Sequence, residues 1–308
     1  MKQLHCANKM RLAIIINSSS QKAKKAYAQL IENLTIEISC FETTAIGSAH
    51  EIAEYCAIEG FSYVVALGGD GTVNEIFNGL MSCGKSADEL PVLCILPCGT
   101  GNDFARNFNF TSNVSEFVQR LQTNRIQYSD GGLVEFIDDK GKSSNRYFLN
   151  VMDIGLGGRI AKRVNKYRRG LTAMGAYHRA IIASLPFYRK KSMQVRMDKK
   201  MYSGPLLSVV VANGKWFGKG MGIAPAANTS DGLLNSIVLA KVGFWEYLAY
   251  LPRIMRCKPI NHPQVFYDSA TNILVTGEEN PIQLDGEYVG NSPASIRVIP
   301  KAIRLLVG

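Results

Sequence analysis

The first third of the chain alternates short apolar runs with amphipathic segments. The runs RLAIIIN, TIEISCFET, YVVALGG and PVLCILPCG have the length and composition of buried strands. Between them, KAKKAYAQLIENL, SAHEIAEYCAIEG and TVNEIFNGLM place apolar residues at helical spacing. Strands separated by helices of this length predict βαβ units and a parallel sheet covered on both faces.

The pattern changes after about residue 125, where strand-like runs follow one another with turn sequences between them. Asp130-Gly131, Asn213-Gly214, Asp231-Gly232 and Asp285-Gly286 are such turns. The sequence therefore predicts an α/β domain over 10–128 and an antiparallel β-sandwich domain over 129–299. The last run, KAIRLLVG, is expected to return to the first domain as a strand within about 300–308.

The charge of +10 is concentrated in one segment. Eleven basic residues and no acidic ones lie between Ile154 and Arg196, interleaved with aromatic and aliphatic side chains. We interpret 159–191 as a basic helical insertion in the second domain. It could dock on an anionic membrane surface, bind nucleic acid, or form a solvated helical face.

The seven cysteines form no CxxC pair and the four histidines are scattered, so no structural zinc site is expected. No apolar stretch reaches the ~18 residues of a membrane-spanning helix, and the first ten residues lack the apolar core of a signal peptide. The prediction is a cytoplasmic protein that is soluble or peripherally membrane-associated.

Three loops with unusual polar content follow strands of the first domain. They are Asn17-Ser18-Ser19-Ser20, Gly68-Gly69-Asp70-Gly71-Thr72 and Cys98-Gly99-Thr100-Gly101-Asn102-Asp103. The carboxyl ends of parallel strands line the ligand crevice of such sheets, so the loops should converge on one site.

Glycines allow consecutive backbone amides to approach a phosphate, and a following helix N-terminus adds positive potential. Asp70 and Asp103 would repel that phosphate unless a cation lay between, and Mg²⁺ is the usual bridging ion. The loops thus favour metal-assisted phosphoryl chemistry on a nucleotide. The alternative is a tight strand-to-helix turn in which Asp70 only caps a helix.

GGDGTVNEIFNGL followed by LPCGTGNDFARNF strongly resembles the catalytic domain of the diacylglycerol kinase family, which includes bacterial lipid kinases and sphingosine and ceramide kinases. The resemblance continues through FLNVMDIGLGG, VANGKWFGKGMGIAPAA, SDGLLNSIVL and IQLDGEYVG. It implies a Rossmann-like nucleotide-binding domain, a β-rich domain that completes the active site, and transfer of the γ-phosphoryl group of ATP, with Mg²⁺, to a lipid hydroxyl.

The resemblance also implies roles for individual residues. Glu287 would be the proton acceptor, with Asp285 beside it, while Asp70 and Asp103 would organise the catalytic Mg²⁺. Asp231, with the carbonyls of Asn228 and Leu233, would hold a structural Mg²⁺. The residues expected to contact the nucleotide are Asn17, Thr43, Gly68, Gly69, Asp70, Gly71, Thr72, Val73, Asn74, Gly99, Thr100, Gly101 and Asn102.

Several positions depart from the family pattern. Asn17 is followed by serine where the family usually has proline, which weakens the case for nucleotide contacts from that loop. Ser230 and Asn235 stand where acids are frequent, so the structural Mg²⁺ site is in doubt. Taken alone, Asp285-Gly286 reads more simply as a hairpin turn.

The resulting hypothesis is an ATP- and Mg²⁺-dependent kinase that converts diacylglycerol to phosphatidate at an anionic membrane surface. Sphingoid and ceramide lipids are alternative acceptors, and a catalytically silent lipid or nucleotide sensor is an alternative role. NAD kinases share GGDGT, but their Gly-Ser-Thr-Ala-Tyr signature is missing here. Nucleic acid is not an expected partner, and a homodimer is compatible with the sequence.

Overall fold

The computed structural model describes residues 11–34, 36–166, 183–185 and 188–308. Most of the predicted basic helical insertion lies outside these described residues. The described residues include every loop that the sequence predicts to take part in binding or catalysis.

The first part of the chain is a parallel sheet with helices between its strands. Its strands are β1 (Leu12–Asn17), β2 (Ile38–Thr43), β3 (Tyr63–Gly68) and β4 (Val92–Pro97), and its helices are α1 (Gln21–Asn33), α2 (Ser48–Ile58), α3 (Asp70–Ser82), α4 (Asp103–Arg106) and α5 (Val114–Thr123). The strands pair in the order β2-β1-β3-β4, all parallel.

Alternate residues of these strands enter two cores. Leu12, Ile14 and Ile16 pack with α1 and α5 on one face, and Ala13 and Ile15 pack with α2 and α3 on the other. Because side chains alternate across a strand, an apolar run of this kind requires cover on both sides. The structure supplies that cover as the sequence predicts.

The rest of the chain is dominated by antiparallel strands. They are β5 (Ile126–Ile137), β6 (Ser143–Phe148), β7 (Val151–Gly155), β8 (Lys191–Met197), β9 (Lys200–Leu206), β10 (Ser208–Ala212), β11 (Trp216–Phe217), β12 (Met221–Gly222), β13 (Leu234–Leu239), β14 (Val265–Ala270), β15 (Asn272–Gly277), β16 (Pro281–Leu284) and β17 (Glu287–Leu306), with helices α6 (Leu156–Lys166) and α7 (Phe244–Met255). The predicted combination of an α/β sheet with an antiparallel β-sandwich-like domain is confirmed.

Strand β17 joins the two parts. It pairs with β16, β15 and β5 along its length, and Leu305 near its end pairs in parallel with Leu93 of β4. The sheet order therefore runs β14-β13-β10-β7-β16-β17-β4-β3-β1-β2 without a break. This continuity holds the hairpin between β16 and β17 beside the glycine-rich ends of β3 and β4.

Within the described part of the chain, no helix is both long and apolar enough to span a bilayer.

Candidate active site

The loops after β3 and β4 pack directly on each other, backbone against backbone. The amide of Cys98 donates to the carbonyl of Gly68 at 2.7 Å. A β-carbon placed on Gly99 would lie 2.5 Å from the α-carbon of Gly69. Only glycine permits this approach, so the two motifs form one surface.

Asp70 and Asp103 meet at this junction, held by backbone amides. Asp70 Oδ1 accepts from the amide of Phe104 at 3.2 Å, so it caps α4 rather than its own helix. Asp103 accepts from the amides of Lys219 and Gly220, each at 2.7 Å. Both carboxylates have an oxygen within 4 Å of the point that a Gly101 β-carbon would occupy. The predicted pair is therefore assembled.

Burial shapes the acidity of this pair. Desolvation, reinforced by the negative charge of Asp103, raises the pKa of Asp70 to about 6. Desolvation also raises the pKa of Asp103, against the opposing effect of its two amide donors. A cation bound between them would relieve this mutual repulsion.

Two basic residues at the pair were not singled out from the sequence. Lys219 lies between Gly218 and Gly220 and has a φ of 71°. Its Cγ lies 3.3 Å from the point that a β-carbon on Gly101 would occupy. Desolvation lowers the pKa of Lys219, while the charges of Asp103 and Asp70 oppose that shift. Arg106 lies 3.7 Å from Asp103 and donates to the carbonyl of Gly101. The flanking glycines in FGKGMG were the available signal for Lys219.

The other residues predicted to contact the nucleotide differ in their hydrogen bonds and in their exposure. Asn17 Nδ2 lies 3.5 Å from Thr72 Oγ1, and the Ser18 hydroxyl donates to the carbonyl of Thr43, so the first loop reaches the site. Asn102 exchanges two hydrogen bonds with the backbone of Gly99, which stiffens its loop.

Val73 and Thr100 stand at opposite extremes of burial. The Val73 side chain lies in the core and its amide donates to Gly69, so it presents no free polar group. Thr100 is exposed at the tip of its loop.

Asp285 occupies the turn between β16 and β17, and its carboxylate is saturated with donors. It accepts from the amides of Leu149, Asn150 and Val151 at 3.1, 3.2 and 2.8 Å, and from Asn74 Nδ2 at 2.7 Å. Asp285 has a φ of 46° and Gly286 a φ of 92°. Asp285 is thus both a hairpin-turn residue, as its dipeptide suggests, and a clamp between α3 and the β6–β7 connection.

Glu287 is the more accessible carboxylate of the hairpin, with 28% of its side chain exposed. Its Oε2 accepts from Arg146 at 2.9 Å, and the same guanidinium nitrogen donates to Asn74 Oδ1 at 2.8 Å. Glu287 Oε1 lies 3.9 Å from the point that a β-carbon on Gly71 would occupy. This carboxylate therefore faces the glycine loop across the cleft, and Arg146 holds it there.

The loop nominated for a structural metal is closed by internal hydrogen bonds. Asp231 Oδ1 accepts from the amide of Leu233 at 3.0 Å, and Asn228 Oδ1 accepts from the amide of Ser230 at 3.2 Å. Buried Asp130, on β5, accepts a hydrogen bond from the amide of Gly232 at 2.7 Å, which connects the loop to β5. The three predicted residues lie in one turn, and the side-chain oxygens of Asn228 and Asp231 that face it already accept backbone amides.

The chemistry of the donors decides which of these places suits Mg²⁺. Across the described residues, no three His, Cys, Asp or Glu side chains lie close enough together to hold a metal ion. Kinases bind Mg²⁺ through only one or two carboxylates plus substrate phosphates, so a third acid is not required. Asp70 and Asp103 fit this mode, since each carboxylate keeps lone pairs beyond those that its amide donors use.

A large apolar cavity lies behind the hairpin, between the sheet and α7. The space between its walls is about 770 Å³ when the solvent at its open mouth is included. Tyr247 and Ile254 of α7 line one wall. Asp153, Ser208 and His262 provide polar atoms in a lining that is otherwise mainly aliphatic and aromatic.

Asp153 is 4% exposed and accepts from Ser208 Oγ at 2.5 Å and from the amide of Gly157. Desolvation raises its pKa to about 7. Two residues further back on β7, the amide of Val151 binds Asp285, so about 7 Å of strand separates the cavity from the hairpin. The cavity thus begins next to the cleft that holds Glu287.

Two known protein families match different parts of the chain. Residues 11–134 match the profile of the diacylglycerol kinase catalytic domain, and residues 150–307 match the YegS C-terminal NAD kinase beta sandwich-like domain.

Curated relatives and solved structures align over nearly the whole chain. A diacylglycerol kinase of Bacillus subtilis is 29% identical over 289 residues, covering 92% of this chain and 91% of that protein. A diacylglycerol kinase of Staphylococcus carnosus is 26% identical over 294 residues, with the same coverage. A crystal structure of a putative diacylglycerol kinase from Bacillus anthracis superposes with a TM-score of 0.76 at 20% identity, covering 98% of this chain and 99% of that one.

The yeast NADH kinase complexed with NADH shares the fold more distantly, with a TM-score of 0.51 at 11% identity over 97% of this chain and 83% of that one.

Proposed function

This chain belongs to the kinase family that joins a diacylglycerol kinase catalytic domain to a YegS-type C-terminal domain, and from that premise we propose that it is an ATP- and Mg²⁺-dependent kinase of a membrane lipid, with diacylglycerol as the acceptor. Members of this family transfer phosphate to an alcohol. The donor, the metal and the lipid are the parts that the proposal adds.

The observation that carries the proposal is the position of Glu287. Its carboxylate faces Gly71 of the phosphate-type loop across a cleft, and the loop brings Asp70 and Asp103 to the same cleft. A phosphoryl donor held by the glycine amides would then lie between the acidic pair and a carboxylate able to receive a proton.

The cavity beside the hairpin supports a lipid acceptor in particular. Its lining is mainly aliphatic and aromatic, with Asp153, Ser208 and His262 among its few polar members, and it starts about two strand residues from the Asp285 turn. An acyl chain in this cavity would leave its headgroup hydroxyl near Glu287.

Each group then has a defined task. The acceptor oxygen bonds to the γ-phosphorus as the bond from that phosphorus to its bridging oxygen breaks, and the hydroxyl proton passes to Glu287. Arg146 orients Glu287, while the Asp285 clamp fixes the hairpin against α3. Bound Mg²⁺ would neutralise phosphate charge beside Asp70 and Asp103.

The test is phosphate transfer from labelled ATP to a panel of lipids, with Mg²⁺, by wild type and Glu287→Gln. Removal of a general base costs about 10²–10⁴-fold in rate, so we expect kcat to fall by that factor while the KM for ATP changes little. Glu135→Gln is the matched control because Glu135 is an exposed carboxylate on β5.

Asp70→Asn should abolish transfer at all Mg²⁺ concentrations that saturate wild type. Phosphorylation of NAD in place of any lipid by wild type would overturn the proposal. Full kcat in Glu287→Gln would remove that residue from the mechanism.

A further inference from the structure

Helix α7 is apolar on two opposite faces. Tyr247, Tyr250 and Ile254 turn inward and line the cavity. Trp245 is 79% exposed, and at 3.6 residues per turn it lies about 180° around the helix from Ile254. A surface helix of a soluble protein normally presents polar residues opposite its buried face, so the outer face of α7 requires an explanation.

The outer face continues beyond Trp245. Ala249 and Pro252 are exposed on the same side, and Met255 at its edge is 42% exposed. Single exposed apolar residues are ordinary in soluble proteins. A large aromatic residue that continues into a row of apolar neighbours on one helix face indicates an interaction surface.

The charges around this face are almost all positive. The stretch 241–258 contains four basic residues, Lys241, Arg253, Arg256 and Lys258, and one acidic residue, Glu246. Glu246 is already engaged, because it accepts from the amide of Gly243 at 2.6 Å and pairs with His262 at 3.1 Å. The outward surface therefore combines an apolar row with cations that form no ion pair among the residues that the structure describes.

We propose that the outer face of α7 docks on an anionic lipid bilayer, with Trp245 at the interface and Arg253 and Arg256 toward lipid headgroups. Tryptophan favours the membrane interface, and basic residues near an anionic surface each contribute about 1 kcal/mol to binding. Docking would place the cavity directly behind the helix that touches the membrane. The inference rests on the proposed function, since a bilayer lipid as acceptor gives the protein a reason to bind there.

A second copy of the chain is a less suitable occupant. A two-fold interface would bring the same surface of two chains together, and so would place Arg253 and Arg256 against a second surface of the same positive charge. An anionic bilayer complements those charges instead.

The experiment follows Trp245 by fluorescence during titration with vesicles. The chain has two tryptophans, Trp216 and Trp245, so Trp216→Phe leaves a single reporter on α7. We expect its emission to shift to the blue with vesicles of phosphatidylcholine and phosphatidylglycerol, and to stay unchanged with phosphatidylcholine alone. Raised salt should reverse the shift.

Co-sedimentation with the same vesicles measures the contribution of each side chain. Trp245→Ala should weaken binding about tenfold. Arg253→Glu with Arg256→Glu should weaken it at least about 30-fold, from roughly 1 kcal/mol per lost charge. Lys24→Glu with Lys25→Glu on exposed positions of α1 makes the same charge change, and Ile58→Ala removes another exposed apolar side chain. Both controls should bind as wild type does.

Unchanged Trp245 emission, or vesicle binding that survives both α7 variants, would overturn the proposal. So would a dimer, detected by light scattering without vesicles, that Trp245→Ala converts to monomer. Phosphorylation of a short-chain diacylglycerol in free solution separates docking from catalysis, because the α7 variants should retain it. Failure of wild type in that assay, with the blue shift intact, would refute the proposed acceptor and leave the docking surface standing.

Discussion

The glycine loops of the α/β sheet and the Asp285 hairpin of the sandwich face each other across one cleft, but they are assembled differently. The two loops, 68–72 and 98–103, follow neighbouring strands, and they contact each other through their backbones. The hairpin depends on its own side chains, since the Asp285 carboxylate accepts from three backbone amides and from Asn74, and Glu287 pairs with Arg146, all from distant positions in the chain. The glycine loops should therefore be sensitive to an added side-chain atom, and the hairpin should be sensitive to the loss of a hydrogen-bond partner.

The largest loss of activity is expected from the glycine loops, on substitution of Gly99 by alanine. A β-carbon there would lie 2.5 Å from the Gly69 α-carbon, so the two loops must separate. Misplacement by about 1 Å can cost 10²-fold in rate, so we expect kcat/KM for ATP to fall at least 100-fold.

Gly60→Ala is the control for Gly99→Ala. Gly60 has a φ of 70° with no atom within 4 Å of a β-carbon, so its loss costs about 1 kcal/mol of stability through backbone strain alone. Activity should persist in that variant. Equal activity losses in both variants would mean that general destabilisation, not loop contact, explains the effect.

The hairpin side should respond to Asp285→Asn through stability. The carboxylate accepts from three amides and from Asn74, and an asparagine would turn an NH₂ group toward some of these donors. Leaving buried donors unpaired costs roughly 3 kcal/mol, which lowers the melting temperature by about 6 °C or more.

Calorimetry of Asp285→Asn and of the exposed control Glu135→Gln measures this difference. If Asp285→Asn melts as wild type does and loses kcat as Glu287→Gln is expected to, the Asp285 carboxylate takes part in the chemistry instead of clamping the hairpin.

The two sides also differ in how far the sequence could reveal them. GGDGT and GTGND are contiguous and follow apolar strands, so parallel-sheet geometry alone predicts that they meet. Arg146 carries no local signal, because its partners Asn74 and Glu287 lie 72 and 141 residues away. Asp153 reads as one polar residue in an apolar strand, and its place in a cavity depends on α7, about 90 residues later. The docking expectation attached to the basic insertion stays a prediction, since most of that segment lies outside the described residues.

Asp153 provides a pH test of the cavity behind the hairpin. Its pKa in the folded protein, about 7, exceeds the value of about 3.9 in an unfolded chain, so the folded state binds more protons between these values. Stability contributed by this group therefore falls as pH rises from about 4 to about 7. Asp153→Asn removes the penalty, and we expect it to be more stable than wild type by about 2 kcal/mol at pH 8, with a smaller gain at pH 5.

Thermal unfolding of wild type and Asp153→Asn across pH 5–8 measures this gain. Asp139→Asn is the contrasting variant, because the Tyr288 hydroxyl holds the pKa of that surface carboxyl below its usual range. Its loss should lower stability slightly above pH 4, the opposite sign. A pH-independent effect of Asp153→Asn would show that Asp153 is ionised throughout and that the cavity is wetter than its lining suggests.

The smallest effect is expected at Asp231, and it tests whether the sandwich carries a metal of its own. Its exposed carboxylate accepts from the amide of Leu233, while buried Asp130 accepts from the amide of Gly232 in the same loop and from the amide of Lys301 on β17. Because Asp130 already satisfies the buried donors, Asp231→Asn should lower the free energy of unfolding by less than about 1 kcal/mol, equally with Mg²⁺ and with a chelator. A Mg²⁺-dependent rise in the melting temperature of wild type that Asp231→Asn abolishes, and that Asp70→Asn preserves, would instead establish a structural ion in this turn. The proposed Mg²⁺ at the acidic pair would then be joined by a second cation site in the sandwich.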